Sequence, residues 1–266
     1  MLLKSHRPAP LFPGLILALL FMAQLRAQGN YEVQVYASEL VPPGSTMFEL
    51  HSNFTIQGSK TMQDGVRPDE HALHETLEIT QGFTSWFETG FYIFSSVREG
   101  EGWQWVGDHI RPRFAIPEDW HWPVGLSLSL EFGYQRPSYS PDTWTLEIRP
   151  IIDKQLGPWY LCFNPALDRS FHGYGVNQGV VFSPNVKVGY NVTKKVQMGF
   201  EYYGSLGSIT GFDPISQQQH ALMPAIDVDF GPNWEFNFAT GIGLTGTTDH
   251  LLVKMIIGRR VRFGKR

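Results

Sequence analysis

From Trp122 to Gln135 apolar residues alternate with small or polar ones without a break. Trp122, Val124, Leu126, Leu128, Leu130, Phe132 and Tyr134 share one parity; Pro123, Gly125, Ser127, Ser129, Glu131, Gly133 and Gln135 share the other. Successive side chains of a β-strand point to opposite faces, so one face of this segment is apolar and the other small and polar. The pattern recurs. Leu146, Ile148 and Ile152 oppose Glu147, Arg149 and Asp153, and Val186, Val188 and Tyr190 oppose Asn185, Lys187 and Gly189. Near the end of the chain, Leu251, Val253, Met255 and Ile257 oppose Lys254, Gly258, Arg260 and Arg262.

The alternation predicts about twelve strands, at 46–57, 73–82, 85–97, 103–116, 122–135, 143–154, 158–168, 179–191, 195–206, 219–230, 233–245 and 250–263. Each approaches or exceeds the roughly 9–11 residues that a tilted membrane-crossing strand needs, whereas strands of soluble sandwiches usually run about 5–6. Short links near 83–84, 117–121, 155–157, 192–194 and 231–232 alternate with long polar ones near 58–72, 169–178 and 207–218. That asymmetry separates periplasmic turns from extracellular loops, and an even strand count leaves both termini on the turn side. The expected fold is all-β: a single antiparallel transmembrane β-barrel of about 12 strands with up-and-down topology.

Tryptophan placement strengthens this. Trp86, Trp103, Trp105, Trp120, Trp122, Trp144, Trp159 and Trp234 all fall near strand ends, where an indole meets apolar chains and water together. Trp86, Trp103, Trp122, Trp144, Trp159 and Trp234 are the candidate interface aromatics.

Composition narrows the class. Charged residues make up only 17% of the 266-residue chain and aromatics 14%, and the formal net charge of -4 gives no sign of a nucleic-acid partner. A mean hydropathy of -0.18 excludes a bundle of apolar helices but suits strands that are apolar on one face only. The single cysteine, Cys162, rules out an internal disulfide framework and is expected to be a packed strand residue. Residues 1–27 have the form of a signal peptide: Lys4 and Arg7, an apolar run from Leu11 to Ala23, and a cleavage position after Ala27. Residues 28–45 are then a periplasmic extension, a plug or an added strand, and 46–266 form the barrel. The expected location is the outer membrane of a Gram-negative-type bacterium. The expected partners are outer-membrane lipid, the barrel-assembly machinery and a small-molecule solute, with the barrel itself a monomer.

On the polar parity stand Glu49, His51, Glu78, Glu88, His109, Arg111, Arg113, Glu131, Glu147, Arg149, Lys187, Glu201, Asp227, Lys254 and Arg260. A lumen shielded from lipid accommodates such groups in water or in ion pairs, whereas an Arg or Lys at the lipid midplane costs about 2–4 kcal/mol. Glu78 with Glu88, and Glu131 with Glu147, are expected to be cross-strand neighbours. Trp86, Tyr92, Tyr160 and Tyr203 are expected on the lumen parity, as surfaces for apolar or aromatic solutes. Arg259 has lipid parity and is expected at the interface.

Catalytic and cofactor motifs are weak. Gly241 to Gly246 matches GxGxxG, but a turn and a strand follow, not the helix a dinucleotide needs. The nine histidines show no HExxH spacing, so neither a metal nor a cofactor is expected. Asp249-His250 is the one candidate dyad, though adjacent strand residues face opposite ways.

The segments His109–Phe114, Pro123–Pro137, Thr143–Lys154, Gln217–Pro232 and Ile256–Arg260 resemble the outer-membrane barrel family named for the meta-pathway of phenol degradation. The resemblance implies a channel-like protein serving hydrophobic or aromatic compounds, and it carries over no defined functional residue. A channel or uptake barrel without chemistry of its own is the favoured reading. A hydrolase acting at the barrel rim and a structural or adhesive barrel with a filled lumen are the alternatives.

Overall fold

The computed structural model describes residues 31–263. Its long strands are β1 (Ser45–Gln57), β2 (Leu73–Thr84), β3 (Phe87–Arg98), β4 (Gly102–Ala115), β5 (Gly125–Gln135), β6 (Asp142–Leu156), β7 (Trp159–Gly173), β8 (Val180–Asn191), β9 (Val196–Ser205), β12 (Gln219–Val228), β13 (Trp234–Gly243) and β14 (Leu251–Arg262). Two strands of two residues, β10 (Gly207–Ser208) and β11 (Gly211–Phe212), form a small hairpin in the loop after β9, and Ser208 extends the edge of β8. Each long strand pairs antiparallel with the next, and β14 returns to β1 over Ser45↔Arg262 to Gln57↔Leu251. The twelve long strands therefore close into an up-and-down barrel with no free edge, which satisfies the strand backbone without water.

The alternation sets which face turns inward. On β2, His74, Thr76, Glu78 and Thr80 are buried inside, while Leu77 on the outer face is 38% exposed. On β5, Ser127, Ser129 and Glu131 point in while Leu128 and Phe132 point out. Polar groups line much of the interior, with Ile151, Met223 and Leu252 packed on Val33 and Val35 as an apolar cluster within it, and apolar groups cover the exterior, the pattern a lipid environment demands. Among the described residues no helix is long and apolar enough to cross a membrane; the strands do the crossing.

Aromatic side chains gather at both ends. At the short-turn end Phe83 stacks on Phe87, and Trp86 stacks on Phe114. There too Trp159 meets Tyr190, and the Arg259 guanidinium lies 4.7 Å from the centre of the Trp234 ring. At the long-loop end Trp105 stacks on Tyr134 and Trp144 on Phe132. The turn between β6 and β7 places Gly157 at φ +59° beside Pro158, a conformation that suits a residue without a Cβ. β7 runs five residues past the predicted end at 168, because Ser170 pairs with Thr145 and Gly173 with Asp142. This extension rises toward the loop end, where the alternation lapses.

Residues 31–44 form no strand. They run along the inside of the wall, and Tyr31, Glu32, Val33, Val35 and Tyr36 are buried there. The expected signal peptide, residues 1–27, lies outside the described residues.

Candidate functional site

The lumen is organised around this inner segment. Tyr31 packs edge-on to His74, and its carbonyl accepts from Thr76 Oγ1 at 2.5 Å. The Val33 carbonyl accepts from Lys254 Nζ at 2.9 Å. Asn164 grips the Tyr36 backbone on both sides, accepting from its N–H at 2.8 Å and donating to its carbonyl at 3.0 Å. Cys162 donates to the same carbonyl from Sγ. Ser38 donates from both its backbone N–H and its hydroxyl to Asp153, Arg113 donates to the carbonyls of Ala37 and Glu39, and Val41 N–H donates to Glu88. The anchors come from β2, β3, β4, β6, β7 and β14, so the segment is held from around the wall.

Tyr36 is the centre of the arrangement. The guanidinium carbons of Arg111 and Arg149 lie 4.6 and 4.8 Å from its ring centroid. Its hydroxyl donates to Glu32 and lies 3.2 Å from the hydroxyl of Tyr92. A ring that receives two cations at its π faces in a buried site gains about 2 kcal/mol from each when desolvated.

Ion pairs surround it. Arg111 donates to Glu78 at 2.6 Å and approaches Glu88 at 3.6 Å, and Arg113 reaches Glu88 at 3.4 Å. Arg149 donates to Glu147 at 2.6 Å, and His109 Nδ1 lies 2.5 Å from Glu131. On the opposite wall Lys254 and Lys187 share Glu201 at 2.5 and 3.3 Å, and Lys187 also binds Asp227 at 2.7 Å. Glu49 and His51 are buried in the wall, and Arg260, opposite Met47, is half-buried at the short-turn mouth.

Glu131 and Glu147 are direct cross-strand partners. Glu78 and Glu88 are not: Glu78 faces Tyr92 and Glu88 faces Gly82, and the two acids meet only through Arg111. Tyr92 and Tyr203 are buried inside, and Tyr160 turns its hydroxyl to Asp153. Trp86 departs from its expected lumen parity. It lies in the turn after β2, 49% exposed and stacked on the outer aromatics, because a register shift between Gly82 and Thr84 resets the alternation. Trp103, Trp122, Trp144, Trp159 and Trp234 are likewise exposed at the ends.

Above the inner segment a cavity of about 310 Å³ faces the long loops. Tyr31 and Glu32 contribute to its lining from the inner segment, and Arg67, Arg98, Tyr139 and Arg169 contribute from the surrounding wall and loops. Tyr139 lies within cation–π reach of both Arg67 and Arg136. Strand alternation identified neither the loop residues Arg67 and Tyr139 nor any residue of the inner segment. In sequence the 28–45 region shows only a short alternation, from Glu32 to Tyr36. His250 is exposed, and the Asp249 carboxylate turns toward Gly58, which also adjoins Asp69.

Residues 108–253 match the family described as the MetA-pathway of phenol degradation. Among solved structures, an outer membrane channel from Pseudomonas putida F1 superposes with a TM-score of 0.59 at 11% identity, over 86% of this chain and 100% of that one. The NanC porin superposes with a TM-score of 0.53 at 9% identity, over 82% and 100%. At such identities the likeness is one of fold. No curated protein sequence matches the chain.

Proposed function

The chain belongs to the MetA-pathway of phenol degradation family, and from that membership we propose that it is an outer-membrane uptake channel for small solutes, with no chemistry of its own. The observation that carries this reading is the wall itself. It is a closed tube, apolar outside and charge-lined inside, with a solute-sized cavity at its loop end. Twelve strands give a bore between that of small barrels packed with side chains and that of 16–18-stranded open porins. In this protein residues 31–44 occupy part of that bore, so the path is narrow and the inner segment is its gate.

The cavity suggests the solute. Tyr31, Phe94 and Tyr139 offer aromatic faces, and the polar lining beside them mixes Arg67, Arg98 and Arg149 with carboxylates such as Glu131, Glu147 and Asp168. A small aromatic compound carrying a hydroxyl group uses both the aromatic faces and the polar lining. The same reading places the barrel in the outer membrane of a Gram-negative-type bacterium after cleavage near Ala27. Assembly machinery would recognise the last strand, after which Phe263 packs edge-on to Phe48.

The test is single-channel conductance of residues 28–266 in a planar bilayer, beside a variant lacking 31–43. Small discrete steps that grow several-fold in the deletion are expected. Silence from both proteins, with folding confirmed by a heat-modifiable gel shift, would leave a filled barrel instead.

A further inference from the structure

Three carboxylates stand in one cross-strand row of the inner wall. Glu78 on β2 directly opposes Glu49 on β1, Glu49 opposes Gly258 on β14, and Gly258 opposes Glu235 on β13. Like charges placed directly opposite one another destabilise a sheet. A Cβ at Gly258 would lie 2.7 Å from Met47 Cε, 2.8 Å from Glu49 Cγ and 3.3 Å from Glu235 Cβ, so the Met47 methyl and both acids border the space above it. His51 lies two residues along β1 on the same face as Glu49. One ligand atom from each of Glu49, His51 and Glu78 lies within 4.8 Å of the others.

The cluster is under-compensated. Arg111 covers Glu78 Oε1 at 2.6 Å but also serves Glu88. Glu49, Glu78 and Glu88 face two guanidiniums, Arg111 and Arg113, while Glu235 also faces Lys187, so the acids of this wall outnumber their cations. An independent observation points to what balances them. The His51 side chain is completely buried, and neither of its ring nitrogens has a hydrogen-bond partner. Glu49 Oε1 also has no hydrogen-bond partner, and Glu78 Oε2 has only the ion-pair contact with His51 Nε2 at 3.4 Å. Buried polar groups find partners, and orphans gathered at one point call for one shared partner.

We infer that Glu49, His51 and Glu78 bind a divalent transition-metal ion, with Zn²⁺ the best fit, inside the barrel wall. One imidazole nitrogen and two carboxylate oxygens form a three-ligand N/O set that suits Zn²⁺, whereas Ca²⁺ takes six to eight oxygens and Mg²⁺ a near-ideal octahedron. A dication offsets that acidic excess. The ion would clamp β1 to β2 beside the β1–β14 seam. Exposed Glu235, in the same row, marks its route from the short-turn mouth.

Titration of chelator-stripped, folded full-length barrel with Co²⁺, followed by visible absorption and then by Zn²⁺ competition, tests this. About one Co²⁺ per chain is expected, with a ligand-field band that Zn²⁺ removes. Glu49→Gln and His51→Ala should each weaken binding about tenfold or more, and His121→Ala, on an exposed turn, should not. Zn²⁺ should also raise the temperature of the heat-modifiable gel shift in the parent and leave Glu49→Gln unmoved. If Glu49→Gln fails to fold, His51→Gln replaces it. Absence of a band, or binding that survives these wall variants, overturns the site. A more stable Glu49→Gln with no metal response in the parent overturns it too, by assigning the excess charge to a proton. No arm of the test reads conductance, so it stands apart from the channel reading.

Discussion

Lys254 Nζ donates to the Val33 carbonyl at 2.9 Å, joining the last strand of the barrel to a segment more than two hundred residues earlier in the chain. The same ammonium donates to Glu201 at 2.5 Å and to the Tyr203 hydroxyl at 3.0 Å. All three of its protons are therefore used, and the side chain is fully buried. A wall lysine thus holds the wall and the inner segment together at one point.

Replacing that lysine separates the two roles. Lys254→Met leaves Glu201 with Lys187, Tyr203 and Asn237. The expected loss is near the low end of the roughly 3–5 kcal/mol for breaking a buried ion pair. Denaturant unfolding in detergent measures it. Conductance should rise in the same variant, because Val33 loses its anchor.

Tyr36 gives a graded version. Tyr36→Phe removes the donor to Glu32 but keeps the ring between Arg111 and Arg149. Tyr36→Ala removes both. Single-channel open probability should change little in the first and rise several-fold in the second, since each cation–π contact is worth about 0.5–2 kcal/mol.

Glu131 and Glu147 line the cavity as direct cross-strand partners. Changing both to Gln removes two negative charges and frees Arg149 from Glu147. The reversal potential in a KCl gradient should move toward the chloride value. An unmoved potential would mean that ions bypass this pair.

The outer wall is tested at Leu77, which lies between Leu50 and Ile93 in the sheet and is turned outward. Leu77→Arg should destabilise the barrel in lipid by about 2–4 kcal/mol, measured by reversible folding into vesicles. Arg at neighbouring Thr76, on the inner face, meets a different solvent and should not follow the same depth rule.

The wall was legible in the sequence because lipid outside and polar groups inside impose a period of two on every crossing strand. Glu131, Arg149 and Lys187 could be placed by parity alone. The pattern lost its hold where that contrast ends. At β7, Arg169 to Gly173 stand toward the loop end, and alternation no longer marks the strand. At Trp86 one shifted register reversed the face. The sequence left 28–45 open between a periplasmic extension, a plug and an added strand, because the complement of the inner segment is scattered: Asn164, Arg111, Arg149 and Lys254 come from four strands. The Glu49–His51–Glu78 cluster was hidden for a related reason. Two of its members are spaced i, i+2, and the third joins them only through the β1–β2 register.

Pairing β1 with β14 also sets an order of events. The cylinder cannot be completed until β14 exists, so nearly the whole described chain must be made before the ring closes. Residues 31–44 lead directly into β1 and finish inside. They must be drawn within the curling sheet before its two ends meet, or thread a finished tube afterwards through a mouth. A barrel sealed first with its leader outside would share every wall contact of the native protein yet lack its interior, a misassembly that resistance to heat alone would not reveal.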